Sequence, residues 1–214
     1  MAHDSGSPLP PPRKRFGQHF LTDPRALDRI VDALAPTPSS TVVEIGPGRG
    51  ALTDRLVPRS GRVVAIEIDR DLVRHLRARY AATPAIEIVE GDALETDWGR
   101  LAGGPYLLAG NLPYYITTPL LFRILASPRP ERAALLVQRE VAGRLVAAPG
   151  TGEYGALSVN VQVSARVELV ARVGAGSFHP RPAVDSAIVL VTPLEDPLVH
   201  AGEEQPFRRF VQAV

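Results

Sequence analysis

The apolar positions of this 214-residue chain fall into short continuous runs that alternate with amphipathic stretches. Runs without polar alternation are typical of strands buried on both faces, which occur in parallel sheets covered by helices. The predicted strands are TVVEIG (41–46), RVVAIEID (62–69), AIEIVEGD (85–92), YLLAGNLPY (106–114) and RAALLVQ (132–138). The predicted helices between them are ALTDRLV (51–57), RDLVRHLRARY (70–80) and TPLLFRILA (118–126). This alternation predicts an α/β fold with a mostly parallel sheet and helices on both faces.

Both ends of this pattern carry further predictions. Asp23 can cap a helix that has Pro24 at its first position, and apolar residues then recur at helical spacing at 27, 30, 31 and 34. The stretch from 157 to 194 is strand-like without an obvious helix, which predicts a terminal antiparallel hairpin. The last segment, PFRRFVQAV, begins an amphipathic pattern, and we expect a helix there to have no room to pack.

Composition limits the class of protein. A chain of this length with 45% hydrophobic residues can form one main domain, and its apolar runs are too short for a membrane helix. Residues 1–12 lack the apolar core of a secretion signal and are expected to be a disordered leader. Without cysteine the chain has neither disulfides nor a thiolate metal site, so we expect a cytoplasmic protein that uses no metal.

Arginine carries most of the positive charge, although the net charge is only +1. This balance does not indicate a generally basic nucleic-acid coat. Residues 13–15 (RKR) are candidates for phosphate contact. Arg70, Arg74 and Arg77 share one face of a predicted helix, which is either a solvated face or an RNA contact.

A glycine turn marks the candidate cofactor site. EIGPGRG places Gly46 and Gly48 between a strand and a helix, where backbone N–H groups can meet a ligand. The spacing differs from the dinucleotide motif, and no Lys-Ser/Thr pair follows as in a phosphate loop. Glu67 can accept from ribose hydroxyls, and Asp92 from an adenine amino group. Because carboxylates suit a sulfonium cation, S-adenosylmethionine is favoured, with an NAD-type ligand as the alternative.

The stretch NLPY (111–114) places unusual residues at a strand end. The side-chain oxygen of Asn111 and the carbonyl of Leu112 can each accept one N–H of an aromatic amine, which would favour a tetrahedral nitrogen able to take a methyl group. Pro113 stiffens the corner, and the ring of Tyr114 offers a face on which a base can stack. We expect Tyr115 to pack instead, and we expect His75 and His179 to be structural.

Together, FGQHFL, EIGPGRGALT, AIEID, EGDAL, NLPY, EYGALSVNVQ and SFHPRPAVDSAIV resemble the ribosomal RNA adenine N6-dimethyltransferase family. The resemblance implies a Rossmann-like class I methyltransferase, with a lid formed by QHFL. It implies cofactor contacts at His19, Leu21, Gly46, Glu67, Asp92 and Asn111. It also implies that Asn111 and Tyr114 hold the target amine, and that Phe178 stacks on the other face of the base.

By the same resemblance, residues 13–194 form the catalytic domain, and 195–214 form a linker and the start of a truncated C-terminal helical domain. The expected partners are the small ribosomal subunit and its RNA, and the expected form is a monomer. The alternatives are a large-subunit enzyme of the macrolide-resistance type, an NAD-dependent oxidoreductase and a non-catalytic nucleic-acid-binding relative. Glu44 and Asp69 lie in the appropriate loops, either beside the site or as helix caps.

Overall fold

The computed structural model describes residues 9–13, 16–199 and 202–213. Its main sheet has seven strands in the order β4-β3-β2-β5-β6-β9-β7, and a separate two-stranded sheet pairs β1 with β8. The strands are β1 (Phe20–Leu21), β2 (Thr41–Ile45), β3 (Arg62–Glu67), β4 (Ile86–Glu90), β5 (Leu107–Asn111), β6 (Arg132–Gln138), β7 (Ala165–Val173), β8 (Phe178–His179) and β9 (Ser186–Pro193). The helices are α1 (Pro24–Leu34), α2 (Thr53–Leu56), α3 (Arg70–Arg79), α4 (Trp98–Ala102), α5 (Thr117–Leu125), α6 (Arg139–Val146), α7 (Ala156–Gln162) and α8 (Glu204–Ala213).

Strands β2 to β6 pair in parallel, and β9 pairs antiparallel with both β6 and β7. The predicted α/β class, the parallel sheet and the antiparallel closure are therefore confirmed. Alternate residues of the same strands enter two separate apolar cores, one on each face. In β2, Val42 packs with α1 and α2, whereas Val43 packs with α4 and α5. Because both faces of the central strands are covered, these strands are mostly apolar along their length, whereas the edge strands β4 and β7 carry exposed polar residues.

Helix α1 forms as its sequence predicts. The side chain of Asp23 accepts from the N–H of Arg25, Pro24 occupies the first turn, and the predicted apolar stripe is buried. Proline has no N–H to donate. This costs nothing in the first turn, because the first N–H groups of a helix have no partner within the helix.

One predicted strand segment is wrong. Ala156–Gln162 alternates apolar and polar residues as a strand would, yet it forms helix α7. Its polar side chains bond to nearby carbonyl groups: the Asn160 amide donates to Ala156, and the Gln162 amide donates to Leu145 and Ala147. Asn160 bonds back to its own helix and Gln162 bonds to the end of α6, so their period of two does not describe a half-solvated strand.

The expectation that the last segment has no packing partner is also wrong. Helix α8 packs against α7, and the Arg208 guanidinium lies 4.5 Å from the ring centroid of Phe122 on α5. Of the expected leader, residues 1–8 lie outside the described residues, whereas the carbonyl of Pro10 accepts from Arg49 at 2.9 Å. Among the helices described for this chain, none has the length and apolar character needed to cross a bilayer.

The topology brings the candidate site residues to one edge of the main sheet. The carboxyl ends of β2 to β5 meet on one side of the sheet, and the chain order reverses between β2 and β5. In open α/β sheets the crevice at such a reversal is where ligands bind. Glu67 ends β3, Asn111 ends β5, and Gly46 and Asp92 lie just beyond the ends of β2 and β4.

We expect Leu34→Ala to lower the free energy of unfolding by about 2–5 kcal/mol, because Leu34, the last residue of α1, is fully buried and truncation leaves a cavity. Urea denaturation monitored by circular dichroism measures this change. The matched control is Arg29→Ala on the exposed face of the same helix, which should change stability by less than about 0.5 kcal/mol. Equal losses in the two variants would contradict the assigned face.

Candidate active site

A cavity with about 860 Å³ of empty space, open at its mouth, lies at the carboxyl edge of the sheet. Its walls come from the ends of β2, β3 and β5, from the loop after β4, and from an N-terminal lid segment that we define as residues 16–21. The predicted site residues that line it are His19, Gly46, Gly48, Glu67, Asp92, Asn111, Leu112, Pro113 and Tyr114.

The glycine turn has the backbone shape that only glycine adopts easily. Gly46 and Gly48 have φ values of +66° and +59°. A Cβ at Gly48 would lie 2.9 Å from a ring carbon of Phe20, so a side chain would collide with the lid segment. The Gly48 N–H points to Glu67 and donates to its Oε2 at 3.1 Å. The turn therefore brings bare backbone to the cavity wall.

Glu67 and Asp92 provide two carboxylates at neighbouring strand ends. Glu67 is 5% exposed; its Oε1 accepts from the Asp69 N–H at 2.9 Å and its Oε2 from Gly48. Burial raises its pKa, and these two backbone hydrogen bonds oppose the rise. Asp92 Oδ1 accepts from the Leu94 N–H at 2.8 Å, which orients the carboxylate. Each oxygen keeps a lone pair that can accept from a ligand hydroxyl or amino group.

Asn111 is the polar group at the centre of the site. Its Nδ2 donates to the His19 carbonyl at 2.8 Å, so the orientation of the carboxamide is fixed by the lid segment. The other end, Oδ1, makes no hydrogen bond with the described part of the chain and can accept from a ligand. The Leu112 N–H donates to the Leu136 carbonyl at 3.1 Å, which ties the corner to β6.

Pro113 and Tyr114 complete this corner. The Pro113 carbonyl accepts from the Ile116 N–H and from the Thr117 hydroxyl, both at 3.1 Å, which closes a tight turn into α5. The Tyr114 hydroxyl lies 2.9 Å from the Ser186 hydroxyl on β9. The ring of Tyr114 lies 5.9 Å from the His19 ring, centroid to centroid, with an interplanar angle of 22°.

The lid segment and the residues before it are attached to the N-terminus of α3. The Gln18 amide donates to Asp69 at 3.1 Å, and the Arg13 guanidinium pairs with Asp69 and Asp71. Asp69 is also the N-cap of α3, since its Oδ1 accepts from the Asp71 N–H. Asp69 is therefore both a helix cap and an anchor for the N-terminal segment. The contacts of Gln18 are a feature that motif spacing alone did not reveal.

Two predicted site residues lie elsewhere. Phe178 is 5% exposed and packs in the core beside α1, and it does not line the cavity; its ring occupies a core position. Leu21 pairs with Phe178 across the β1–β8 ladder and is likewise buried in that core. Neither side chain lies on the wall of this cavity, although Leu21 lines a second cavity that also touches Gly46, Gly48 and Asn111. The stacking role of Phe178 and the cofactor contact of Leu21 stay predictions.

Tyr115 lines the cavity, although the sequence predicts a packed side chain. It is 58% exposed, and its ring lies beside Gly17 of the lid segment. Its pKa is raised by partial burial and by the nearby carboxylates of Asp92 and Glu67. The ring is therefore part of the cavity mouth. Residue type alone could not separate two adjacent tyrosines.

Glu44 is buried beneath the glycine turn. It is 1% exposed, and its Oε2 accepts from the Thr53 hydroxyl at 2.7 Å. Burial raises its pKa to about 8. The contact with Thr53 links the end of β2 to the first turn of α2, so Glu44 supports the turn that carries Gly46 and Gly48.

The candidate arginines are largely engaged within the protein. On α3, Arg70 pairs with Glu90, Arg74 pairs with Asp71, and Arg77 donates to the Ile88 carbonyl. This pattern is typical of a solvated helix face. Of residues 13–15, Lys14 and Arg15 lie outside the described residues.

The residues fit an adenosine-bearing cation: a glycine cradle without side chains, one carboxylate at each of two strand ends, and an amide corner beside them. This sheet order and site define a class I S-adenosylmethionine-dependent methyltransferase. The chain belongs to the ribosomal RNA adenine dimethylase family, whose model matches residues 11–214. The family does not support the NAD-dependent alternative.

Individual relatives agree with this family. The chain is 46% identical over 206 residues to ribosomal RNA small subunit methyltransferase A of Geobacter sulfurreducens, covering 94% of this chain and 75% of the relative. It is 47% identical over 198 residues to the protein of that name from Synechococcus sp., covering 88% and 70%.

Solved structures show the same fold. A dimethyladenosine transferase from Plasmodium falciparum matches with a TM-score of 0.76 and 35% identity, over 83% of this chain and 64% of that one. The 23S rRNA methyltransferase ErmE matches with a TM-score of 0.75 and 32% identity, over 90% of this chain and 77% of that one.

We expect Gly48→Ala to weaken binding of S-adenosylmethionine about 5- to 150-fold, because the new Cβ crowds Phe20 at a cost of about 1–3 kcal/mol. Isothermal titration calorimetry measures this change. Gly103→Ala is the matched control, since Gly103 also has a positive φ, +72°, but no atom lies within 4 Å of its added Cβ. Similar affinity loss in both variants would contradict a specific role for the Gly48–Phe20 contact.

The pH dependence of stability should report Glu44. Its folded pKa of about 8 lies above the ordinary 4.5, so the folded chain holds a proton that the unfolded chain has released. Wild-type stability should therefore fall as pH rises from 4.5 to about 8, by at most about 1.4 kcal/mol per pH unit. Glu44→Gln should lack this contribution.

Urea denaturation at several pH values between 5 and 8 measures the difference between wild type and Glu44→Gln. We expect the variant to gain relative stability as pH rises. Glu168→Gln, at an exposed position on the edge strand β7, is the control and should leave the wild-type slope unchanged. A difference between wild type and Glu44→Gln that does not vary with pH would contradict this assignment.

Proposed function

We propose that this chain transfers methyl groups from S-adenosylmethionine to N6 of two adjacent adenines near the 3′ end of small-subunit (16S) rRNA, giving N6,N6-dimethyladenosine in ribosome biogenesis. The observation that carries this proposal is the corner at 111–114, where Asn111 has its amide nitrogen engaged by His19 and its oxygen available. The higher identity to small-subunit enzymes than to ErmE supports the choice of RNA.

The cofactor supplies a methyl group already activated by a sulfonium. Glu67 would accept from the ribose hydroxyls and Asp92 from the adenine amino group, and the backbone of Gly46 and Gly48 would lie against the cofactor. His19 would cover it from the lid segment. The carboxylates at this edge also favour a cationic ligand, which matters more in a partly buried site than in water.

The remaining residues would act on the target amine. Its nitrogen is a weak nucleophile because the lone pair is delocalised into the ring. Two acceptors, Asn111 Oδ1 and the Leu112 carbonyl, would each take one N–H and favour the tetrahedral form, whose lone pair is free to attack the methyl group. Once alkylated, the nitrogen is acidic enough to release its proton to solvent, so no strong base is required.

The adenine has to leave its stack to reach this corner, since N6 is inaccessible within a paired helix. The Tyr114 ring would provide a stacking surface, worth about 1–3 kcal/mol for a single-stranded base. We place the catalytic domain at 13–194 and assign 195–214 to a linker and the start of a C-terminal helical domain. The expected setting is the cytoplasm, with the small ribosomal subunit as partner and the enzyme as a monomer.

The test incubates the chain with labelled S-adenosylmethionine and unmethylated small ribosomal subunits, followed by mass spectrometry of the nucleosides. We expect dimethyladenosine in small-subunit RNA. Asn111→Ala should lower the rate about 100-fold or more, the scale seen when one preorganised polar group is removed. Calorimetry of cofactor binding is the control, since that affinity should be partly retained.

Two other outcomes would overturn the proposal. Methylation found only with large-subunit RNA would favour a macrolide-resistance type of activity. Binding of RNA without consumption of labelled cofactor would favour a non-catalytic nucleic-acid-binding protein.

A further inference from the structure

His19 lies between the two halves of the candidate site. Its carbonyl accepts from the Asn111 amide at 2.8 Å, and its ring stacks on Tyr114 at 5.9 Å. Its Nδ1 lies 2.8 Å from the Pro180 carbonyl. One residue of the lid segment therefore contacts both residues that the proposed function assigns to the target base.

The orientation of the His19 ring is fixed by its partner. A carbonyl oxygen can only accept, so Nδ1 carries the hydrogen in the bond to Pro180. The Pro180 carbonyl lies just beyond β8, the strand that pairs with β1 of the lid segment. The ring plane is thus set by the same chain segment that holds the lid segment in place.

The Tyr114 ring is held at two points. Its hydroxyl is bonded to Ser186, which is fully buried on β9, and one face lies against the His19 ring. The separation of the two rings falls within the roughly 4.5–7 Å of interacting aromatic pairs. If the lid segment moves away, Tyr114 keeps the Ser186 contact but loses the contact that restrains its face.

The same movement would affect Asn111. With Nδ2 bonded to the His19 carbonyl, Oδ1 is the end of the carboxamide left to accept an N–H. Without that carbonyl the carboxamide is free to rotate and can present its donor to the amine. The N–H groups of the target amine need hydrogen-bond acceptors, so a carboxamide that turns its own NH₂ group toward the amine cannot hold it.

We propose that His19 is a positioning residue that couples closure of the lid segment over the cofactor to the orientation of Tyr114 and Asn111. This proposal rests on the proposed function for the identity of the base site. Coupling between two sites is reciprocal, so the base-site residue Tyr114 must in turn stabilise the closed lid segment and strengthen cofactor binding. A purely structural role for His19 does not require this effect.

The first experiment measures hydrogen exchange of residues 16–21 by mass spectrometry, without cofactor or RNA. Tyr114→Ala should speed exchange there about two- to twelvefold, the range that corresponds to one aromatic pair. Tyr114→Phe is the matched control, since it keeps the ring and removes only the bond to Ser186, and it should retain wild-type protection. Unchanged exchange in Tyr114→Ala, or equal exchange in both variants, would overturn the proposal.

The second experiment measures S-adenosylmethionine affinity by calorimetry for His19→Ala, Tyr114→Ala and the double variant. Each single change should weaken binding about two- to twelvefold, and the double variant should bind no more weakly than the weaker single variant. Wild-type affinity in Tyr114→Ala, or losses that add, would overturn the coupling. Neither measurement uses RNA, so failure of methyl transfer would defeat the proposed function and leave this result standing.

Discussion

The hydrogen bond from the Asn111 amide to the His19 carbonyl is the contact on which the geometry of the site depends. It joins residues 92 positions apart: one ends a central strand, and the other belongs to a segment outside the main sheet. An amide side chain has a donor end and an acceptor end of nearly equal size, so packing alone does not choose between them. The fixed carbonyl makes that choice and leaves the acceptor end of the carboxamide available to a ligand.

The fold was largely predictable because its strongest signal is local. Continuous apolar runs, a helix cap at Asp23 and glycines at a strand end describe local geometry that the tertiary structure leaves unchanged. Helix α7 was mispredicted because Asn160 and Gln162 mimic the polar side of a strand. The Asn160 amide bonds to the Ala156 carbonyl one turn back in the same helix, and the Gln162 amide bonds to Leu145, which the folded chain brings near. Apolar periodicity records neither bond.

Site residues were predictable where their backbone position at a strand end brings them to the cavity. They were unpredictable where the direction of the side chain determines whether the residue reaches the cavity. Gly48, Glu67, Asp92 and Asn111 lie at strand ends, so the topology alone brings them together. Phe178 and Tyr115 are both aromatic residues near that edge, and their roles depend on which way each ring points. Phe178 turns into the core beneath α1, whereas Tyr115 lies at the cavity mouth. A sequence pattern contains no information on that choice.

The lid segment is attached far more weakly than the strands behind it. Strand β1 of the lid segment pairs with the two residues of β8. The side chain of Arg13, which precedes the lid segment and pairs with Asp69 and Asp71, is 35% exposed. Partly exposed ion pairs contribute about 0–1 kcal/mol each, whereas the β2–β5 core is fully buried. Local opening therefore requires breaking only the lid contacts, and the sheet that carries Glu67 and Asn111 stays intact. A bound cofactor adds contacts to the closed form, and the closed form is also the one in which His19 orients Asn111. In our proposal, cofactor binding therefore favours the closed form, in which the acceptor end of Asn111 is already oriented by His19.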